Sequence, residues 1–223
     1  MLNIEGALAE VVVFSNYETH TTLSKDSLHI ERVVTLKNVG ANPIIPGELH
    51  FKLHEIEKGN KIPSRITGFS AKNDYNTELK TRTIEGEEET DLVISVWEPV
   101  LPKFSYRITL EYDLMFKSKG FMFYELSVPV EETTIPIENN KHNLYLPKSN
   151  HVTYAPNAVL KTVSRNGEEY KMVSWENRDD MFLEYSRLPL PKLGIKAVNI
   201  FWGIVIVAML VLTFLIHKKM KRK

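Results

Sequence analysis

Two histidines, His50 and His54, stand four residues apart, the spacing at which a helix offers two imidazoles to one zinc ion. Their neighbours argue for a different local structure. Leu49, Phe51 and Leu53 alternate with His50, Lys52 and His54, which is the period of a strand. On a strand the two rings lie about 13 Å apart, too far to share an ion, so solvated residues are expected there. The run Glu85-Gly86-Glu87-Glu88-Glu89-Thr90-Asp91 offers carboxylates, but its oxygens lack the alternation of a calcium loop, and a solvated turn is expected. Asp179-Asp180 reads as a turn between strands rather than a working carboxylate pair. Cysteine is absent, which removes disulfides, thiolate metal ligands and a thiol nucleophile. Gly-x-Ser-x-Gly, a glycine-rich phosphate loop and His-Glu-x-x-His are all missing. No catalytic, cofactor or metal residue is assigned, and the expectation is a protein that is not an enzyme.

The charges point to a membrane instead. Over 223 residues, 28 Lys and Arg balance 28 Asp and Glu, without the basic excess of a nucleic-acid binder. The balance hides an asymmetry. Lys218, Lys219, Lys221, Arg222 and Lys223 crowd the last seven residues, and without these five, 23 basic residues face 28 acidic ones. Just before them, residues 198–216 carry no charge, and only Asn199 and Thr213 are clearly polar. A helix of this length spans about 29 Å, near the hydrocarbon thickness of a bilayer. Trp202, close to one end, suits the interface. Residues 198–216 are therefore predicted to cross a membrane, with 217–223 as a basic tail.

Sidedness stays open between two readings. The basic tail, outnumbering Arg187, Lys192 and Lys196 on the other flank, favours a cytoplasmic C-terminus and an external N-terminal domain. Against this, the first basic residue is Lys25, and the apolar run Val11-Val12-Val13-Phe14 follows Glu10 and is short for a signal sequence. A domain without a leader would stay cytosolic, with the helix as a tail anchor.

The residues before the helix read as strands. Phe104, Tyr106, Ile108, Leu110, Tyr112, Leu114 and Phe116 hold one parity, with mostly polar residues between them. Lys119-Gly120 supplies a turn, and Met122, Tyr124, Leu126 and Val128 continue the alternation, which predicts a hairpin. Leu28, Ile30, Val34 and Leu36 form another strand, with Arg32 interrupting its apolar face; Leu92, Ile94 and Val96 form one more. The aromatics Trp97, Phe104, Tyr106, Tyr112 and Phe116 are expected in the core. Turn chemistry at Asn38-Val39-Gly40, Asn42-Pro43, Pro46-Gly47 and Gly59-Asn60 separates these runs. The fold class is all-β, an antiparallel β-sandwich plus a smaller β unit, followed by one C-terminal transmembrane helix.

The expected domains are a sandwich over 1–129, a smaller β unit over 130–190 and a proline-stiffened linker over 191–197. The smaller unit opens on a linker-like stretch, 129–142, and contains a hairpin turning at Asn166-Gly167, a favoured type I′ pair. The stretch from Glu31 to Pro43, with its Thr35-Leu36-Lys37-Asn38-Val39-Gly40 strand and turn, resembles Ig-like modules of archaeal and bacterial surfaces. The order of strands, second β unit and single membrane helix resembles the luminal β-domains of ribophorin I-like subunits of the oligosaccharyltransferase. That resemblance implies a non-catalytic accessory subunit facing away from the cytosol, with the lipid bilayer and other membrane-complex proteins as partners. The alternative is a cytosolic tail-anchored adaptor that binds proteins or peptides.

Overall fold

The computed structural model describes residues 11–25, 27–57, 60–115, 120–128, 131–165, 167–177 and 181–220. Among the described residues it is all-β with one helix, at the C-terminal end. Contacts divide it into two compact units.

The larger unit comprises Met1–Lys117, Ser127–Lys148 and Asn157–Met181. Its first sheet contains β1 (Val12–Leu23), β2 (Ser27–Asn38), β5 (Ile66–Asn73), β8 (Ser105–Met115), β10 (Asn140–Pro147), β12 (Val159–Arg165) and β13 (Glu168–Glu176). Their order is β12-β13-β10-β1-β2-β8-β5. The second sheet contains β3 (Gly47–Glu57), β4 (Asn60–Pro63), β6 (Lys80–Glu85) and β7 (Thr90–Val96), in the order β4-β3-β7-β6. Period-two alternation supplies the apolar faces: Leu28, Ile30, Val34 and Leu36 from β2, Ile108, Leu110 and Leu114 from β8, and Leu49, Phe51, Leu53, Leu92 and Ile94 from the second sheet are all buried. Phe14 of β1 stacks on Phe51 of β3 with ring centroids 5.9 Å apart, joining the two layers.

The smaller unit comprises Ser118–Leu126, Ser149–Pro156 and Phe182–Lys223. It holds the sheet β11-β14-β9, from His151–Tyr154, Phe182–Ser186 and Phe123–Ser127, and the helix α1, Ala197–Met220.

Four expectations change. Residues 130–190 do not form a unit of their own. β10 pairs in parallel with β1, from Tyr17↔Asn140 to Thr22↔Tyr145, so β10, β13 and β12 extend the first sheet. The linker-like stretch is a strap: Glu132 and Lys52 exchange backbone hydrogen bonds, while Phe14 donates to Pro136 O and accepts from Glu138 N. Those bonds satisfy backbone groups that a free linker would leave to water. The hairpin drawn through Gly120 does not form either. β8 pairs with β2 and β5, whereas β9 joins β14. Finally, Trp97 and Phe104 are exposed rather than in the core. The hairpin of β12 and β13 stands as read, with Arg165 opposite Glu168 and Gly167 at φ +83°. Glu10, Gly59, Phe116, Lys117, Lys119, Pro129, Asn166, Asp179 and Asp180 lie outside the described residues.

Candidate functional site

Helix α1 is long and apolar enough to cross a membrane. Over Ala197–Leu215 its mean hydropathy is 2.5, and beyond Ala197 none of that stretch is buried against the rest of the chain. An apolar helix left this exposed suits hydrocarbon better than water. Its one hydroxyl in the middle, Thr213, donates back to Met209 O at 2.8 Å, so it brings no unsatisfied group into the span. Trp202 is exposed in the second turn, and the helix runs on through Lys219. Lys221, Arg222 and Lys223 lie outside the described residues, as does the side chain of Lys218.

The helix begins on a built mount. Residues 191–197 do not hang free: Leu193 N donates to Thr153 O at 2.7 Å, and Ala197 is buried. Glu184, fully buried in β14, turns its carboxylate to the helix N-terminus. Its Oε1 accepts from Ala197 N at 2.7 Å and from Thr153 Oγ1 at 2.6 Å, and its Oε2 accepts from Val198 N at 3.2 Å. A helix leaves its first N–H groups without internal partners and carries partial positive charge there. Glu184 answers both needs from thirteen residues away. Lys196 adds a hydrogen bond to Glu125 at 2.7 Å and lies over the Phe182 ring at 4.2 Å. Phe123 meets Phe201 at 6.1 Å, Tyr124 stacks on Tyr185 at 5.3 Å, and Arg187 lies over Tyr124. Aromatic rings beside cations at a helix end match the composition of a membrane interface.

A second constellation sits in the core of the larger unit. Arg32 is 1% exposed and forms an ion pair with Glu131 of the strap. Its Nε donates to Thr19 Oγ1 at 2.9 Å, and its guanidinium lies 4.8 Å from the Tyr17 ring centroid. The Tyr112 hydroxyl also donates to Glu131. Burial pushes the Tyr17 and Tyr112 phenols up, against the pull of the Arg32 charge. Farther along the same sheet, His142 Nε2 meets Thr21 Oγ1 at 2.9 Å, and Trp175 stands edge-on to the imidazole. Burial first, then the charges of Arg32 and His20, bring the His142 pKa down to about 3.

That value makes a prediction. His142 is neutral when folded and charges in the unfolded chain near its ordinary value of 6.5. Between those two values the unfolded state binds the extra proton, so stability rises with pH and is lost as pH falls. One such group contributes a slope of at most about 1.4 kcal/mol per pH unit. Urea midpoints measured between pH 7 and about pH 4 should fall for the parent chain and fall less steeply for His142→Leu. Equal slopes would show that His142 has no part in it.

The residues first considered for metal are placed elsewhere in the chemistry. His50 and His54 both lie on β3, as alternation requires. His50 Nδ1 meets Asp91 Oδ2 at 2.7 Å, and His54 lies 3.8 Å from Glu132. The acidic run forms the β6–β7 turn, where Gly86 N donates to Glu89 O. Among the described residues, no three His, Cys, Asp or Glu side chains are grouped to hold a metal ion. Arg32 carried a readable signal, because it shares the inward parity of Leu28, Ile30, Val34 and Leu36. Glu131 and Glu184 carried none, since their partners are remote in sequence.

No family model matches the chain, and no curated protein matches it. Among solved structures it is similar to an M1 zinc metallopeptidase from Deinococcus radiodurans, with 12% identity and a TM-score of 0.48. It is likewise similar to a mutant of that enzyme bound to a Tyr-Ser-Ala substrate, at 12% identity and a TM-score of 0.46. In both cases the likeness covers 78% of this chain and 42% of the peptidase chain, so this chain matches less than half the length of those enzymes.

Proposed function

We propose that this chain is a single-pass membrane protein whose β-sandwich acts, without a reaction of its own, as an accessory or scaffold subunit of a membrane complex. The observation that carries the reading is an unburied apolar helix fixed by a buried carboxylate to a folded sheet. The non-catalytic part draws support from the core, where Arg32, Glu131, Thr19 and Tyr112 are engaged with one another. The five basic residues beyond the span favour an extracytoplasmic β domain, each worth about 1 kcal/mol near an anionic cytoplasmic leaflet.

The full chain should stay with the membrane after alkaline carbonate washing. A chain ending at residue 197 should be soluble and folded, with a far-UV circular dichroism spectrum dominated by strands. A soluble full chain would overturn the anchor, and a helix-dominated fragment would overturn the boundary. Protease added outside intact cells should degrade the β domain. Protection there, with cleavage by protease on the cytosolic side, would instead favour a cytosolic tail-anchored adaptor.

A further inference from the structure

One end of the larger unit carries apolar side chains that the core does not use. The loop after β2 and the loop after β7 are stitched together there. Ile44 and Val100 exchange backbone hydrogen bonds at 3.1 and 2.8 Å. Asn38, fully buried, binds both loops: its Nδ2 donates to Asn42 O at 2.8 Å and to Val100 O at 2.9 Å, and its backbone N donates to Phe104 O. Pro43, Pro46, Pro99 and Pro102 restrict the same loops. On this braced tip Ile45, Trp97, Leu101 and Phe104 are 61%, 65%, 49% and 64% exposed. The loop bonds bring these residues to one end of the unit: Ile45 and Leu101 follow the bridged Ile44 and Val100, Phe104 N donates to Leu101 O, and Trp97 follows Val96 where β7 ends opposite Gly47. A group of exposed large apolar side chains on a well-bonded scaffold marks an interaction surface.

The charges around the tip choose the partner. Lys37, Lys103 and Arg107 flank it, with Lys37 opposite Ser105 and Arg107 opposite Thr35 on the β2–β8 ladder. Glu98, beside Trp97, and Asp74, which acts with Glu98 on Tyr106, are acidic residues near it, and Glu48 is neutralised by Arg82 at 2.8 Å. This cationic excess stands on a chain that is acidic once its tail is set aside. Trp, Phe and Arg are common to protein and lipid interfaces, but lysine is depleted at the former, and lysines beside Trp, Phe and Leu are the composition of the latter. We propose that this tip is a lipid-contact site, with Trp97, Phe104, Leu101 and Ile45 entering an anionic bilayer surface and Lys37, Lys103 and Arg107 meeting its phosphates. The proposal rests on the membrane reading above.

The test uses the full chain with Trp202→Phe, which leaves Trp97 and the buried Trp175. It is reconstituted in acyl-brominated vesicles of phosphatidylcholine with about one third phosphatidylserine, and more such vesicles are added outside. Trp97 emission is obtained by subtracting the Trp97→Phe/Trp202→Phe chain. It should fall about twofold against unbrominated vesicles of the same lipids. The fall should vanish in pure phosphatidylcholine and in Lys37→Gln/Lys103→Gln/Arg107→Gln, while Trp175 emission confirms that each variant is folded. Undiminished Trp97 emission in the brominated anionic vesicles overturns the proposal, and so does equal quenching without anionic lipid. Trp202 in the Trp97→Phe chain reports the helix separately. Trp202 quenched with Trp97 unquenched defeats the tip and leaves the anchor standing; the converse defeats the anchor.

Discussion

Arg32→Met is expected to cost the fold about 3–5 kcal/mol, a large share of a single domain's stability. The substitution leaves Glu131 buried without its cation. It also leaves Thr19 Oγ1 without the guanidinium donor at 2.9 Å. Glu131 would then fold only protonated or poorly solvated. Arg32→Lys should also destabilise, because one ammonium cannot both donate to Thr19, as Nε does, and hold the ion pair with Glu131 on the far side of a planar guanidinium. Arg32→Met with Glu131→Gln should recover much of the loss, since an ion pair replaced as a whole costs far less than one halved. Urea midpoints and slopes for the two single variants and the pair give the coupling energy, which should lie at or above the upper end of the usual range, about 3 kcal/mol. An Arg32→Met chain within about 0.5 kcal/mol of the parent would place the pair among contacts that do not matter.

Glu184→Ala should loosen the start of the helix while leaving membrane insertion intact. The carboxylate holds Ala197 N, Val198 N and Thr153 Oγ1, and alanine offers none of them an acceptor. Each buried group left unmade costs about 1–3 kcal/mol, although Thr153 keeps its weaker bond to Glu184 O at 3.2 Å. The span from Ala197 to Leu215 keeps its hydropathy, so carbonate extraction should give the same result as for the parent. Hydrogen exchange separates the two effects. The Ala197 and Val198 amides should exchange about tenfold faster for every 1.4 kcal/mol lost. Glu184→Gln retains one carbonyl oxygen and should fall between. Unchanged exchange at both amides in the alanine variant would show that the cap is dispensable.

The strands of highest contrast were legible in the sequence. β8 follows directly from alternation over 104–116, and β2, β3 and β7 follow from shorter runs of the same period. β1 was not legible, and the reason is chemical. Its inward positions include Thr19 and Thr21, which look like surface residues in a pattern of apolar and polar letters. Inside the fold their hydroxyls meet Arg32 and His142. A polar residue is tolerated in a core when it has a partner, and that partner lies thirteen or more residues away. The same gap explains the misplaced hairpin. The turn at Gly120 shows that the chain changes direction without showing which strand it will join. The β1–β10 pairing spans more than a hundred residues and leaves no local trace. Phe104 fails for another reason: alternation fixes which way a side chain points, but not where the opposing layer ends. Trp97 follows Val96 out of the parity of Leu92, Ile94 and Val96, so alternation itself turns it outward.

The bonded entry into the helix has a mechanical consequence. A membrane protein hung from a loose tether takes up changes of bilayer thickness or helix tilt in the tether. Here the chain from Leu193 to Val198 is bound to β11 and β14 by Thr153 and Glu184. Torque on the helix is therefore passed into those strands through short hydrogen bonds. The three-stranded sheet and the first turn of the helix tilt as one lever, with Glu184 at the fulcrum.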